Sequence, residues 1–313
     1  MRLQPLDAAF GVDRTAVERL FGDFVARSPA ADDPEWNEDM RRRRRKILKR
    51  ALRRILLGWL PDTKRTEQIV REEYTGAWQS IDFATYATGA PRDDYTPWEW
   101  DGKRLLASDV GATRVRQLLL IRVIERLQPR RVLEVGCGNG INLVLLACRF
   151  PDIEFSGVEL TEAGHRAATE FQRRPALPEP LQRYAPEPLA DPAGFRRISF
   201  LQGNAMALPF ADGAFDLVYS TLALEQMEQI RDRALAEMAR VTRRHTLMVE
   251  PFADVNRSLW PRLNVLRRNY FRGAIADLPR HGLRPLAASR DFPQEAFLKV
   301  CAVLAEKSPG GRP

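Results

Sequence analysis

Three glycines at alternate positions, Gly136, Gly138 and Gly140, follow an apolar run that carries one acidic residue (Val132, Leu133, Glu134, Val135). A helical pattern starts directly after them, from Leu143 to Ala147. A strand, a tight turn and a helix N-terminus in this order form a nucleotide-binding layout. The helix end offers free N–H groups, and glycine lets the backbone approach a ligand where a Cβ would clash. Glu159 closes a second apolar run, Ile153 to Val158, about 20 residues past the turn, where a carboxylate can accept hydrogen bonds from ribose hydroxyls. The spacing is not the dinucleotide G-x-G-x-x-G, because Ile occupies position 141.

The elements that must hold these residues follow in sequence. Val110 to Leu127 has the apolar pattern of a helix packed beside the first strand. A third strand, Ile198 to Leu201, leads into Gly203-Asn204-Ala205-Met206-Ala207-Leu208-Pro209-Phe210. Asp212-Gly213-Ala214-Phe215-Asp216-Leu217-Val218-Tyr219 opens a fourth, and His245 to Glu250 forms a fifth. In this order the motifs resemble those of the class I S-adenosylmethionine (SAM) methyltransferases, with a methyltransferase-11-like core. The resemblance covers roughly residues 115 to 305, about two thirds of the chain. It implies an α/β fold, a doubly wound, mostly parallel, seven-stranded Rossmann-like sheet, here preceded by an N-terminal helical cap. The expected division is a cap over 1–105 and a SAM-binding domain over 106–313. Phe297 to Leu304 is expected to be the last strand, antiparallel at the sheet edge.

The resemblance also implies the site. Gly136, Gly138 and Gly140, with Cys137 between them, approach the aminoacyl part of SAM, and Glu134 orients its amino group. Glu159, followed by Leu160, holds the ribose hydroxyls. Asn204 and the backbone of Ala205 read the adenine edge; the family usually has Asp where this chain has Asn204, and an amide oxygen can also accept. Thr221 and Leu222 lie toward the sulfonium methyl. In many relatives the segment after the fourth strand faces the acceptor. That makes Glu225 the nearest candidate for a general base or an amine-orienting carboxylate, although a solvated helix residue would read the same way. Methyl transfer from an already activated donor rests mainly on alignment and water exclusion. His165, His245 and His281 have no triad partner and read as structural. No Asn-Pro-Pro-Phe follows the fourth strand, which counts against amino methylation of DNA bases, and no cysteine nucleophile is marked.

Composition bounds the rest. The chain has 313 residues, with 49 Lys and Arg against 41 Asp and Glu, enough for one large domain or a domain with an extension. Cys137, Cys148 and Cys301 form no spaced pair or metal pattern, so no metal and a reducing, cytoplasmic setting are expected. No apolar signal region precedes Arg14, and no apolar run is long enough to span a bilayer.

Within the cap, Asp33-Pro34 reads as an N-cap and first helical residue. A stripe of Trp36, Met40, Leu48, Leu52, Ile55, Leu56 and Trp59 runs among the bases Arg41 to Arg54. Three readings stand for residues 34–60. They form a cap helix with solvated arginines, or a peripheral contact with an anionic membrane, or a contact with nucleic-acid phosphate, which the lack of interleaved aromatics weakens. Tyr74, Trp78, Phe83, Tyr86, Tyr95, Trp98 and Trp100 suggest a lid. Six prolines between Arg173 and Phe195 mark a loop insertion expected at the pocket rim. Three functions are carried forward. The first is a SAM-dependent methyltransferase acting on a small-molecule or lipid-like metabolite. The second acts on RNA or protein. The third binds SAM without transferring a methyl group.

Overall fold

Two faces of apolar side chains along the same strands explain why so many runs in this sequence are continuous rather than alternating. Val132, Leu217, Tyr219, Leu247 and Val249 pack to one side, and Leu133, Val135, Val218 and Met248 to the other. That pattern belongs to a parallel sheet covered by helices on both faces. The computed structural model describes residues 1–57, 69, 71–72, 82–89 and 92–308. Along the chain the main elements are α1 (Leu6–Phe10), α2 (Arg14–Gly22), β1 (Val25–Arg27), α3 (Pro34–Leu57), β2 (Thr96–Trp100), β3 (Lys103–Ala107), α4 (Asp109–Leu127), β4 (Arg131–Val135), α5 (Ile141–Arg149), β5 (Glu154–Glu159), α6 (Glu162–Gln172) and α7 (Glu179–Tyr184). They continue with β6 (Ser199–Gln202), β7 (Phe215–Thr221), α8 (Arg231–Val241), β8 (Thr242–Glu250), α9 (Leu259–Arg268), β9 (Leu283–Ser289), β10 (Gln294–Glu295) and β11 (Cys301–Lys307).

The large sheet has seven strands in the order β6-β5-β4-β7-β8-β11-β9. Strands β4 to β8 pair in parallel, and β11 runs antiparallel between β8 and β9. The order reverses at β4 and β7, so a crevice opens at their C-terminal ends, where ligands of doubly wound sheets bind. The expected mostly parallel, seven-stranded fold is therefore observed, with one correction. The last strand is not at the edge: β11 begins at Cys301, its residues Cys301, Ala302, Val303 and Ala305 are fully buried, and β9 forms the border. Phe297 to Val300 precede it outside any strand. The fifth strand begins at Thr242, three residues before His245.

Helices α1 and α2 share the core of the rest. Phe10, Leu20, Phe21 and Phe24 join the same buried cluster as Leu118, Leu119 and Leu120 of α4. A Cβ on Gly111 would stand 2.7 Å from that of Phe24. A second, antiparallel sheet, β1-β3-β2-β10, takes its last strand from the C-terminal part of the chain. Asp33 caps α3 as expected, its Oδ1 accepting the Trp36 N–H at 2.7 Å. The apolar stripe of α3 splits in two: Trp36, Met40, Ile47 and Ala51 are buried, whereas Leu48, Leu52, Ile55 and Leu56 are exposed. Trp59, Tyr74 and Trp78 lie outside the described residues. Among the described residues no helix is long and apolar enough to cross a membrane.

Candidate functional site

A cleft of about 570 Å³ lies over the C-terminal ends of β4, β5 and β7. Every residue assigned to SAM by the motif reading except Gly140 lines it, and so does Glu225. The glycine turn makes its floor. Gly136, Gly138 and Gly140 all hold positive φ, at 76°, 54° and 77°, a region that other residues enter only with strain. The close approaches at two of them are internal rather than toward a ligand. A Cβ on Gly136 would meet Ala223 Cβ at 2.5 Å, and one on Gly140 would meet the Phe200 ring at 2.6 Å. Gly140 opens α5 without a side-chain cap, leaving that helix end to the Asn139 side chain, whose Oδ1 accepts the Ile141 N–H at 3.3 Å. Cys137 packs its sulfur against Gly157, where a Cβ would stand 2.7 Å away. Burial pushes its thiol pKa up, so it is a packing residue whose backbone lines the cleft.

Glu159 fastens this floor. Its Oε2 accepts the Gly138 N–H at 3.0 Å, and its Oε1 accepts the Thr161 N–H and hydroxyl at 2.9 and 2.7 Å. The carboxylate is thereby fixed in direction, with acceptor capacity left over for a ligand. Glu134 differs. It is 1% exposed, and its Oε1 accepts from Asn142 Nδ2 at 2.9 Å. Its Oε2 lies beside the Tyr219 hydroxyl, but the two do not reach hydrogen-bond geometry. Burial pushes Glu134 up to about 8. An orphaned buried carboxyl oxygen beside a glycine turn fits a cationic donor such as the amino group of SAM.

At the end of the cleft where the resemblance places adenine, Asn204 Oδ1 accepts the Met206 N–H at 2.9 Å, an Asx turn beside Ala205. At the opposite end the chain leaves β7 through Leu222, a non-glycine residue at φ 53° whose N–H is held by the Val249 carbonyl at 3.0 Å. Backbone held in this region is stored strain, and it turns Thr221 and the following segment into the cleft. Thr221 Oγ1 is buried without a partner.

Glu250 at the end of β8 carries the device that motif reading missed. Its Oε1 accepts the N–H groups of Ala223 and Leu224 at 3.0 and 3.1 Å, and its Oε2 accepts that of Glu225 at 3.2 Å. One buried carboxylate thus orients the loop that presents Glu225. Glu225 itself is buried and holds one donor, Gln226 Nε2 at 2.7 Å, while its Oε2 is orphaned. Burial, with the charge of Glu250, pushes Glu225 up to about 8, and burial alone dominates the rise of Glu250 to about 7. Three backbone donors favour charge on Glu250, so Glu225 is the member of the pair that keeps the proton.

Three further lining groups come from elements with no motif: Tyr86, and Asp109 and Thr113 on α4. Tyr86 lies edge-on to Tyr184 at 4.9 Å, and Tyr184 donates to the Val110 carbonyl at 2.7 Å. The proline-rich insertion therefore supports Tyr86 from behind and contributes no lining residue, against the expectation of a rim. Of the aromatics expected in a lid, Tyr86 alone among the described residues lines the cleft; Trp98 instead packs edge-on to Phe21 at 5.6 Å. The three histidines lie outside the lining. Among the described residues no cluster could hold a metal ion.

Comparison with known proteins agrees with this geometry. The family model described as a methyltransferase domain matches residues 133–249. Malonyl-acyl-carrier-protein O-methyltransferase from Methylococcus capsulatus is 30% identical over 168 residues, which make up 53% of this chain and 48% of that protein. Ajmaline N-methyltransferase from Rauvolfia serpentina is 30% identical over 36% of this chain and 33% of its own length. The alignments thus span half or less of these curated relatives. Two solved structures share the fold, each with a TM-score of 0.51 over 78% of this chain. They are the cyclase SpnF, at 21% identity and 98% of its length, and magnesium protoporphyrin IX methyltransferase from Synechocystis with bound SAH, at 14% identity and all of its length. With its glycine turn, Glu159 and reversed strand order, the domain built on this sheet belongs to the class I SAM-dependent methyltransferase family.

Proposed function

We propose that the chain moves a methyl group from SAM to a small-molecule or lipid-like metabolite. The observation that carries this reading is the juxtaposition, in one cleft, of the glycine floor with its fixed Glu159 and of the buried, orphaned Glu225 oxygen. SAM supplies an electrophilic methyl on a sulfonium, so the protein's work is placement, water exclusion and, where the acceptor carries a proton, its removal. Glu134 Oε2 would receive the amino group of SAM, Glu159 the ribose hydroxyls, and Asn204 with Ala205 the adenine edge. Thr221 and Leu222 bring the strained segment toward the reacting side. Glu225, once ionised near its raised pKa of about 8, takes the acceptor's proton, and Glu250 keeps it in position. A carboxyl poised near the working pH suits an oxygen or nitrogen acceptor that must lose a proton.

The relatives are named for acyl-carrier-protein, alkaloid and other acceptors, which supports the reaction class and leaves the acceptor to experiment. The test is transfer of labelled methyl from SAM into a lysate of the source cells, separated into solvent-extractable, RNA and protein pools. Label in the extractable pool supports the proposal, and label in RNA or protein replaces its acceptor class. Absence of label above a Glu159→Ala control, with SAM binding shown separately, replaces it with a binding protein that does not transfer.

A further inference from the structure

Helix α3 has two apolar faces, one buried and one exposed. Trp36, Met40 and Ile47 sit against Ala296 and Phe297, with Trp260 and Leu263 of α9 packed on the same cluster, and Ala51 is buried as well. Leu48, Leu52, Ile55 and Leu56, spaced as one helical face, are 41, 48, 59 and 69% exposed. Around them the sequence from Met40 to Leu57 contains ten Lys and Arg and no acidic residue. Helix α9 adds more cations to the same ridge. Arg44 lies over the Trp260 ring at 5.4 Å. Burial, with the charges of Arg268 and Arg50 added to it, holds Arg267 down to about 10, and burial with the charge of Arg272 lowers Arg54. Like charges gathered on a ridge are relieved by an anionic partner, and exposed leucines among them call for an apolar one.

We propose that this α3–α9 ridge docks on an anionic lipid bilayer, with Leu48, Leu52, Ile55 and Leu56 entering the interface and the surrounding bases meeting headgroup phosphates. Two other occupants fit the surface less well. Nucleic acid would take the cations and leave the leucines in water. A second copy of the chain paired through a two-fold axis would set the same cationic patch against itself. The ridge also lies next to the cleft. Phe271, just past α9, donates its N–H to the Glu225 carbonyl at 3.1 Å, and the Arg268 charge acts on the Glu225 carboxyl. A docked bilayer would therefore stand beside the side of the cleft that holds the proposed base.

The proposal is tested by flotation of the full chain with vesicles of phosphatidylcholine, with and without phosphatidylglycerol, beside a variant carrying Leu48→Gln, Leu52→Gln, Ile55→Gln and Leu56→Gln. The four positions are exposed, so the variant should keep its melting temperature and SAM affinity, which are measured in parallel. The expected result is binding at least about tenfold tighter to the anionic vesicles, weakened by salt, and lost in the variant although its charge is unchanged. Equal flotation of the variant would overturn insertion of the leucines. No flotation of the parent chain would overturn docking itself, as would preference for RNA over vesicles. A parent dimer that becomes a monomer in the variant on sedimentation would assign the face to a second copy instead.

Discussion

The two ends of the cleft place carboxylates in opposite circumstances. Glu159 accepts two backbone N–H groups and a hydroxyl and is fixed by them. Glu225 is as deeply buried, accepts one side-chain amide and leaves an oxygen orphaned. The first arrangement suits a ligand that is always the same, because backbone groups cannot be retuned. The second suits a step in which charge changes, because a carboxyl short of donors in a low-dielectric site can gain and lose a proton near neutrality.

Replacing Glu225 by Gln tests that contrast at its strongest point. If Glu225 is the base, kcat/KM should fall about a hundredfold or more. The pH profile is more telling than the size of the loss. With the carboxyl pushed up to about 8, activity should rise with pH through that value in the parent chain. Stability should move the other way. A carboxyl whose pKa is raised by folding stabilises the protein while it is neutral, fully so below its ordinary range, and that contribution is lost as pH rises through about 8. In Glu225→Gln both trends should disappear from this site, leaving a flat activity profile and a smaller loss of melting temperature as pH rises from the ordinary carboxylate range to about 8. A variant that keeps the rising limb would show that another group, such as Glu250, carries it.

At the other end the contrast is broken through the backbone. Gly140→Ala forces a Cβ to 2.6 Å from the Phe200 ring at φ 77°, so it should cost about 2 kcal/mol or more in thermal or urea unfolding. Gly11→Ala is the control: its φ is 70°, but nothing lies within 4 Å of a Cβ there, so only the backbone strain of about 1 kcal/mol should appear. Equal losses at the two sites would mean that the close approach at Gly140 relaxes freely and the floor is less rigid than its geometry shows.

A smaller effect is expected from Glu159→Gln. The amide keeps one oxygen for the Gly138 or Thr161 donors, so stability should change by about 1 kcal/mol, while SAM affinity falls about tenfold through loss of the charge-assisted bonds to the ribose. Calorimetric titration with SAM measures it, and unchanged affinity would remove the ribose assignment.

The same contrast explains what the amino-acid sequence disclosed. Strands β4 to β8 and the glycine turn are local: buried parallel strands need unbroken apolar runs, and positive φ favours glycine, so both leave marks within ten residues. Glu225 could be nominated only by its place after the fourth strand, and nothing local told whether it was solvated or buried. Its backbone is held by Glu250, 25 residues on, and by Phe271 just past α9, and neither contact is visible in the local sequence. Glu250 itself looked like an ordinary strand end. The place of β11 depended likewise on pairing with β8 and β9, since an apolar run such as Cys301 to Ala305 fits an edge or a centre until its neighbours are known. The proline cluster promised a rim because prolines forbid a helix in one place, yet Glu179–Tyr184 still form one and carry Tyr184 under Tyr86.

The smallest expected effect lies where this chain departs from the family pattern. Asn204 Oδ1 already accepts the Met206 N–H, and an Asp in its place would keep that bond and strengthen it by charge. Toward the adenine amino group the carboxylate would also be the better acceptor. Against this, a new charge would share the cleft with the Glu159 carboxylate, a like-charge cost that the surrounding water only partly screens. The two terms nearly offset, so Asn204→Asp should tighten SAM by about threefold at most, and the gain should grow with salt as the repulsion is screened. A titration series in salt separates them. A loss of affinity in Asn204→Asp at every ionic strength would mean that the side chain serves the turn and not the adenine edge, and that the adenine is read by the backbone of Ala205 alone.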